Sequence, residues 1–263
     1  MKKKYRNFIK LVLVVLFFIL FVGPIVLLAI KSVAFGWHWP TDFNIRAWKI
    51  ILQDPTIMKA LKTTMEIALA VVILNILLGL SAAKTLSRFE FKGKSVIETV
   101  LFMPILVPVL AVTMGIHITM IKLGLADHLV GVILIHLLPT LPYSIRILKA
   151  GFDRFGIKWE EQAKSLGACP TTVFFTITLP LMIPSIRSAA LLSFVISISQ
   201  YVLTAIIGGG RVMTLSLIYF PYFNSADEAI IASFSIVFAL LPIIFLLFME
   251  ACIRSYLYSI RKL

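Results

Sequence analysis

Six stretches of mainly apolar residues follow one another along the chain, at 9–30, 65–86, 96–121, 129–148, 181–207 and 229–252. A bilayer's hydrocarbon core, about 30 Å thick, is crossed by a helix of ~20 apolar residues. The stretches show none of the in–out alternation of a membrane strand. Backbone groups in lipid must also be paired within their own segment. The pattern therefore predicts six transmembrane helices. Pro104 and Pro108 interrupt the third stretch, and Pro139 and Pro142 the fourth. Both spans are expected to be broken, with freed carbonyls needing other partners. The first stretch starts on Lys2, Lys3, Lys4, Arg6 and Lys10, as a signal peptide would. Its apolar part is too long for a signal peptide, and no clean cleavage site follows, so it reads as a retained helix.

Composition agrees. Of 263 residues, 60% are hydrophobic and 14% charged, against about 45–50% and a quarter in soluble domains. Disorder needs the opposite balance. The net charge of +13 would suggest nucleic acid in a soluble protein. In a membrane protein it reports topology, because Lys and Arg gather in cytoplasmic loops. With the N-terminus inside, 17 of the 25 basic residues fall on the inner side. Both termini are therefore expected in the cytoplasm. The first outer loop is the weak point, with Lys31, Arg46, Lys49, Lys59 and Lys62. It also carries Trp37, Trp39 and Trp48, which suit an interfacial aromatic belt. Cys169 and Cys252 have no framework spacing and are expected as free thiols; the four histidines form no metal-ligand pair.

The longest inner loop runs over 149–178. Residues 158–166 favour helix; Gly167 stops it and Pro170 restarts one. The loop is thus two short helices meeting at a bend. Ala163 and Gly167, four apart, are expected on one face, open to a close-packed partner, with Glu161 beside them. This segment resembles the EAA signature of permease subunits of ATP-binding-cassette importers. Glu161, Gln162 and Ala163 stand at the head of the motif, followed by Gly167, Ile177, Leu179 and Pro180, all at matching spacing. Gln162, in place of an alanine, is the one departure.

The resemblance covers roughly 63–263 and implies an all-α fold of the type I importer class. It would have a cytoplasmic coupling-helix elbow between helices 4 and 5, preceded by an N-terminal tail, helix and outer loop over 1–62. It also implies a function: a non-enzymatic permease subunit in the cytoplasmic membrane, paired with a second permease. ATPase subunits would dock on the elbow and hold MgATP, so this chain would carry no cofactor. An extracytoplasmic binding protein would deliver the solute. Consistently, the only P-loop-like run, Gly93-Lys94-Ser95, lacks the first glycine, since Arg88 stands there. The run S-Q-Y…G-G-G (Gly208–Gly210) and the aromatic residues after it resemble the polyamine, thiamine, ferric-ion and phosphonate branch. A polyamine or similar small solute is the expected substrate.

In the fifth stretch Ser193, Ser197, Gln200 and Thr204 are spaced for one helical face. They either line a translocation path or pack helix on helix, as hydroxyl residues commonly do in membranes. Asn75, Thr113, His117, His136, Thr140 and Ser144 are further intramembrane polar groups open to both readings. No carboxylate lies deep in a span; Glu66 and Glu250 are at ends. The path is therefore expected to make weak contacts and leave affinity to the binding protein. Tyr219, Phe220, Tyr222 and Phe223 form either an interfacial belt or a contact surface for that protein. Two other classes fit the sequence less well. A carrier or channel acting without an ATPase is opposed by the elbow. An intramembrane hydrolase lacks its nucleophile or ligand motifs.

Overall fold

The structure, a computed structural model, describes residues 2–33, 45–224 and 227–260. Trp37 and Trp39 lie outside them. Among the described residues every regular element is helical, and the chain divides into two units. One holds Met1–Met58 with Tyr219–Leu240, the other Lys59–Ile218 with Leu241–Leu263.

In the first unit, α1 (Lys2–Lys31) has no buried residue in its apolar stretch. Apolar on all sides, it has the character of a helix solvated by lipid. After it comes α2 (Arg46–Gln53), which buries Ala47 and Ile51, one turn apart. Asp54 both ends α2, its N–H bonding the Ile50 carbonyl, and opens α3 (Pro55–Arg88). Its Oδ1 accepts the Thr56 N–H at 2.7 Å, while Pro55, with no N–H to leave unpaired, takes the first helical position. Trp48 donates from Nε1 to Ser32 Oγ at 3.3 Å. Lys31 pairs with Glu228 at 2.7 Å and Arg46 with Asp227. Tyr219 packs among Phe223, Phe234 and Phe238, its hydroxyl 2.6 Å from Ser235 Oγ.

The second unit contains the rest of α3, then α4 (Lys94–Phe102), a 3-10 turn (Met103–Ile105), α5 (Val109–Lys122) and α6 (Leu129–Phe155). The elbow follows as α7 (Lys158–Ser165) and α8 (Pro170–Val173). A π turn (Phe174–Thr178) leads into α9 (Leu179–Ile198), then α10 (Tyr201–Ile207) and α11 (Leu215–Tyr219), which belongs to this unit up to Ile218. The last helix, α12 (Glu228–Ile260), belongs to this unit from Leu241 on. One apolar cluster joins Ile67, Val71, Val132, Ile135, Leu203 and Ile207; another joins Ala83, Leu148, Phe152, Met182 and Ala189. Phe194 stacks on Phe245 with centroids 4.3 Å apart, and Arg187 pairs with Glu250 at 2.9 Å, both tying α9 to α12.

Among the described residues, five helices are long and apolar enough to cross a membrane. The sixth expected span is a pair, Lys94–Ile105 and Leu110–Lys122, bent by 100°. The break falls at Pro104 and Pro108, as expected. The fourth span does not break: α6 continues through Pro139 and Pro142. The difference is packing. Neither α4 nor the 3-10 turn that holds Pro104 buries a residue, so packing restrains the chain little at these prolines. α6 buries Val132, Ile135, Pro142, Ile145, Leu148 and Phe152, and the surrounding helices hold its axis.

Candidate functional site: the elbow and the polar seam

The elbow is built by the ends of its two helices. α7 closes with Gly167 at φ +85°, a conformation that side chains rarely adopt. The Gly167 N–H bonds Lys164 O at 2.9 Å and the Ala168 N–H bonds Ala163 O at 3.1 Å. These two bonds are the Schellman closure of a helix. Cys169 is extended (ψ 153°), and Pro170 then opens a helix that runs unbroken to Ile198. Pro180 cannot donate a backbone bond in that helix. The preceding π turn takes up the irregularity by widening the helix by one residue.

The expected Ala163–Gly167 face does not form. Gly167 lies past the helix end, where the four-residue repeat no longer applies. Ala163 is turned inward at 9% exposure, and Gly167 is exposed. The side chain presented at the bend is Leu166, 89% exposed, with Trp159 also exposed. Glu161 and Gln162 are exposed too, which explains why a polar residue is tolerated at the second position. Ile177, Leu179 and Pro180 are half-buried in the helix leaving the elbow.

Sequence reasoning missed what lies underneath. Glu160, one residue before the motif, is 4% exposed. Its Oε1 accepts from Thr178 Oγ1 at 2.9 Å and lies 3.8 Å from Arg88 Nη2. Arg88, the last residue of α3, donates from Nη1 to Phe152 O at 3.3 Å and from Nη2 to Gly156 O. Its guanidinium lies over the rings of Phe152 and Phe155. These carbonyls end α6, where a cation is also favoured by the helix dipole.

Cys169, at the exposed bend, sits 3.2 Å from Thr171 Oγ1 and 2.9 Å from Thr172 Oγ1. Hydroxyls donating to the thiolate favour its charged form, so the thiol's pKa is lowered to about 7, with Thr171 contributing most and Thr172 next. Alkylation by iodoacetamide needs the thiolate. Labelling of Cys169, read by mass spectrometry, should therefore rise through half-maximum near pH 7. Thr171→Val with Thr172→Val should move that midpoint upward; an unmoved midpoint would remove the hydroxyls as its cause.

Within the membrane, polar residues form a seam. His136 Nδ1 is 3.0 Å from Ser197 Oγ and Nε2 is 3.0 Å from Thr204 Oγ1. Ser144 Oγ meets Ser193 Oγ at 2.8 Å, and Asn75 donates to Thr140 Oγ1 at 2.8 Å. Ser193, Ser197 and Thr204 are thus buried against α6. The expected single helical face is interrupted, because α9 ends at Ile198 and α10 begins at Tyr201. His136 joins the two pieces, one nitrogen to each. Gln200 lies half-buried at the break, its carbonyl accepting from Thr204 and Ser216. Glu66, Glu98 and Glu250 are each paired with a base, respectively Lys62, Lys149 and Arg187.

Comparison with known proteins agrees with this architecture. The molybdate/tungstate transport system permease protein of Pyrococcus abyssi is 29% identical over 174 residues, 66% of this chain and 69% of that protein. The spermidine/putrescine transport system permease protein of Escherichia coli K12 is 24% identical over 189 residues, 71% of each chain. A bacterial ABC transporter involved in import of the acidic polysaccharide alginate superposes with TM-score 0.73 at 16% identity, over 97% of this chain and 98% of that one. This last likeness is one of fold. Residues 75–256, which include the whole elbow and the seam, match a single family, and the chain belongs to it: the binding-protein-dependent transport system inner membrane components.

Proposed function

We propose that this permease subunit is driven through its elbow by a cytoplasmic ATPase, with both termini on the elbow's side of the membrane. The observation that carries this is the exposure of Leu166 on a rigidly closed turn. A large apolar side chain held out into water by a fixed backbone has no role inside the chain and suits insertion into a partner's groove. Glu161 and Gln162 would flank that contact, and Gly167 sets its angle. The nucleotide and its magnesium stay on the ATPase, which supplies hydrolysis energy. This chain's part is to receive the movement and reorient the helices. A second permease subunit, identical or homologous, completes the path, and an extracytoplasmic binding protein loads it.

The relatives' names point to two substrate chemistries, an oxyanion and a polyamine. The pairing of Glu66, Glu98 and Glu250 with bases favours the oxyanion, because these carboxylates are not free to hold a polycation. Hydroxyl and amide donors such as the Gln200 side chain suit passage of an anion. In this reading Gln200, at the helix break, is the stripe residue that meets solute, while Ser193, Ser197 and Thr204 set the shape of the wall.

The test is co-purification from membranes through a tag on this chain. Leu166→Asp and Gly167→Asp should leave insertion intact and remove the ATPase subunit. Retention of the ATPase by both variants would end the docking reading. With the parental complex and its binding protein, molybdate or sulfate should stimulate ATP hydrolysis where spermidine does not. The opposite order would assign the polyamine.

A further inference from the structure

Four elements meet at one buried point beneath the elbow. Arg88 is the end of α3, Phe152 and Gly156 are the end of α6, Glu160 lies in the first turn of α7, and Thr178 lies on the helix that leaves the elbow. The Arg88 and Glu160 side chains are 7% and 5% exposed, so solvent screens this contact little. One guanidinium pairs with the carboxylate, caps α6 through two carbonyls and covers two aromatic rings. One carboxylate oxygen faces both Arg88 and the Thr178 hydroxyl. Sideways movement of α7 relative to α3 would strip a buried charge of its partner, which is costly. Movement of the whole group together would not.

From this geometry we infer that Arg88, Glu160 and Thr178 form a rigid joint that makes the elbow and the inner ends of α3, α6 and α9 travel as one body. The three are positioning residues: none meets solute or nucleotide in this scheme. The inference rests on the reading of the elbow as the ATPase-docking element. It adds that force entering at α7 reaches α3 directly through a charge pair, and not only along the covalent chain into α9. Glu161 then faces the partner while Glu160, its neighbour, faces the chain's own framework.

The joint is tested by a distance across it. Cys169, on the elbow, and Thr85→Cys, one turn before Arg88, are both exposed and take spin labels after Cys252→Ser. The distance is measured in the tagged complex, without nucleotide and with ATP plus a magnesium chelator. In the otherwise unaltered chain the distance distribution should be single and unchanged between the two states. Glu160→Gln keeps an acceptor for Thr178 and removes only the charge. The ATPase should still co-purify with it, but a second distance population should appear when ATP is added. Thr178→Val should give the same change more weakly.

A distance that shifts with ATP in the unaltered chain overturns the joint. So does a Glu160→Gln complex whose distance stays single and fixed while the ATPase remains bound. If neither variant assembles, the cluster is a folding element and the inference is likewise overturned. Absence of the ATPase from the parental complex counts against the docking reading instead.

Discussion

Arg88→Ala should be the most damaging single change at the elbow, costing about 3–5 kcal/mol of stability, the usual range for removing one partner of a buried ion pair. The deletion leaves Glu160 buried at 4% exposure with Thr178 alone to satisfy it. It also strands the Phe152 and Gly156 carbonyls at the end of α6 and uncovers the Phe152 and Phe155 rings. Thermal unfolding in detergent should show a large fall in Tm. Adding Glu160→Gln to Arg88→Ala should restore part of the loss, since the uncompensated charge is then gone. A double variant no more stable than Arg88→Ala would show that the cost lies in capping and stacking alone. Arg88→Lys should fall between, keeping a charge but losing the planar fork that reaches two carbonyls at once.

The damage expected there was not legible in the sequence, and the reason is physical. In the sequence Arg88 is a basic residue of an inner loop, standing where a P-loop would need glycine, and Glu160 is a helix former next to a motif. Their pairing depends on two elements distant in sequence being brought together. What could be read were local rules. The glycine stop and proline restart foretold the bend, and the backbone closure at Gly167 follows the expected pattern. The six apolar runs likewise foretold the helices, because length in lipid is a one-dimensional constraint.

Face arithmetic failed in two places, both where a helix stopped. The spacing puts Gly167 one turn after Ala163, but it lies beyond the last helical residue. The spacing puts Gln200 on the same face as Ser197, but the helix breaks between them with neither proline nor glycine to announce it. The Ser199 hydroxyl bonds to the Val195 and Ile196 carbonyls, taking acceptors at the helix end. His136, in the sequence one intramembrane polar group among several, is the bridge across that break. Polar pattern alone could place His136 and Thr204 in the membrane but not opposite each other.

The second large effect is expected at Gly151, where α6 and α9 press together without room for a methyl. A Cβ at that position would lie 2.3 Å from Ser185 Oγ and 2.7 Å from Ser185 Cβ, with Met182 Cε at 3.1 Å. The Ser185 Cβ is fixed to the α9 backbone, so it cannot swing aside as the end of a long side chain could. Gly151→Ala must therefore push the helices apart. Overpacking of this kind costs about 1–3 kcal/mol, and close approach through small residues is what holds membrane helices together. The separation would spread along the seam, because Ser144 and Ser193 meet at 2.8 Å on the same pair of helices. A lowered Tm in detergent is the first readout. The discriminating one is Gly151→Ala combined with Ser185→Gly, which removes the obstructing atoms and should recover most of the loss, a coupling that independent sites would not show. A double variant as unstable as the sum of the two single changes would mean that the glycine is not the contact that sets the α6–α9 distance.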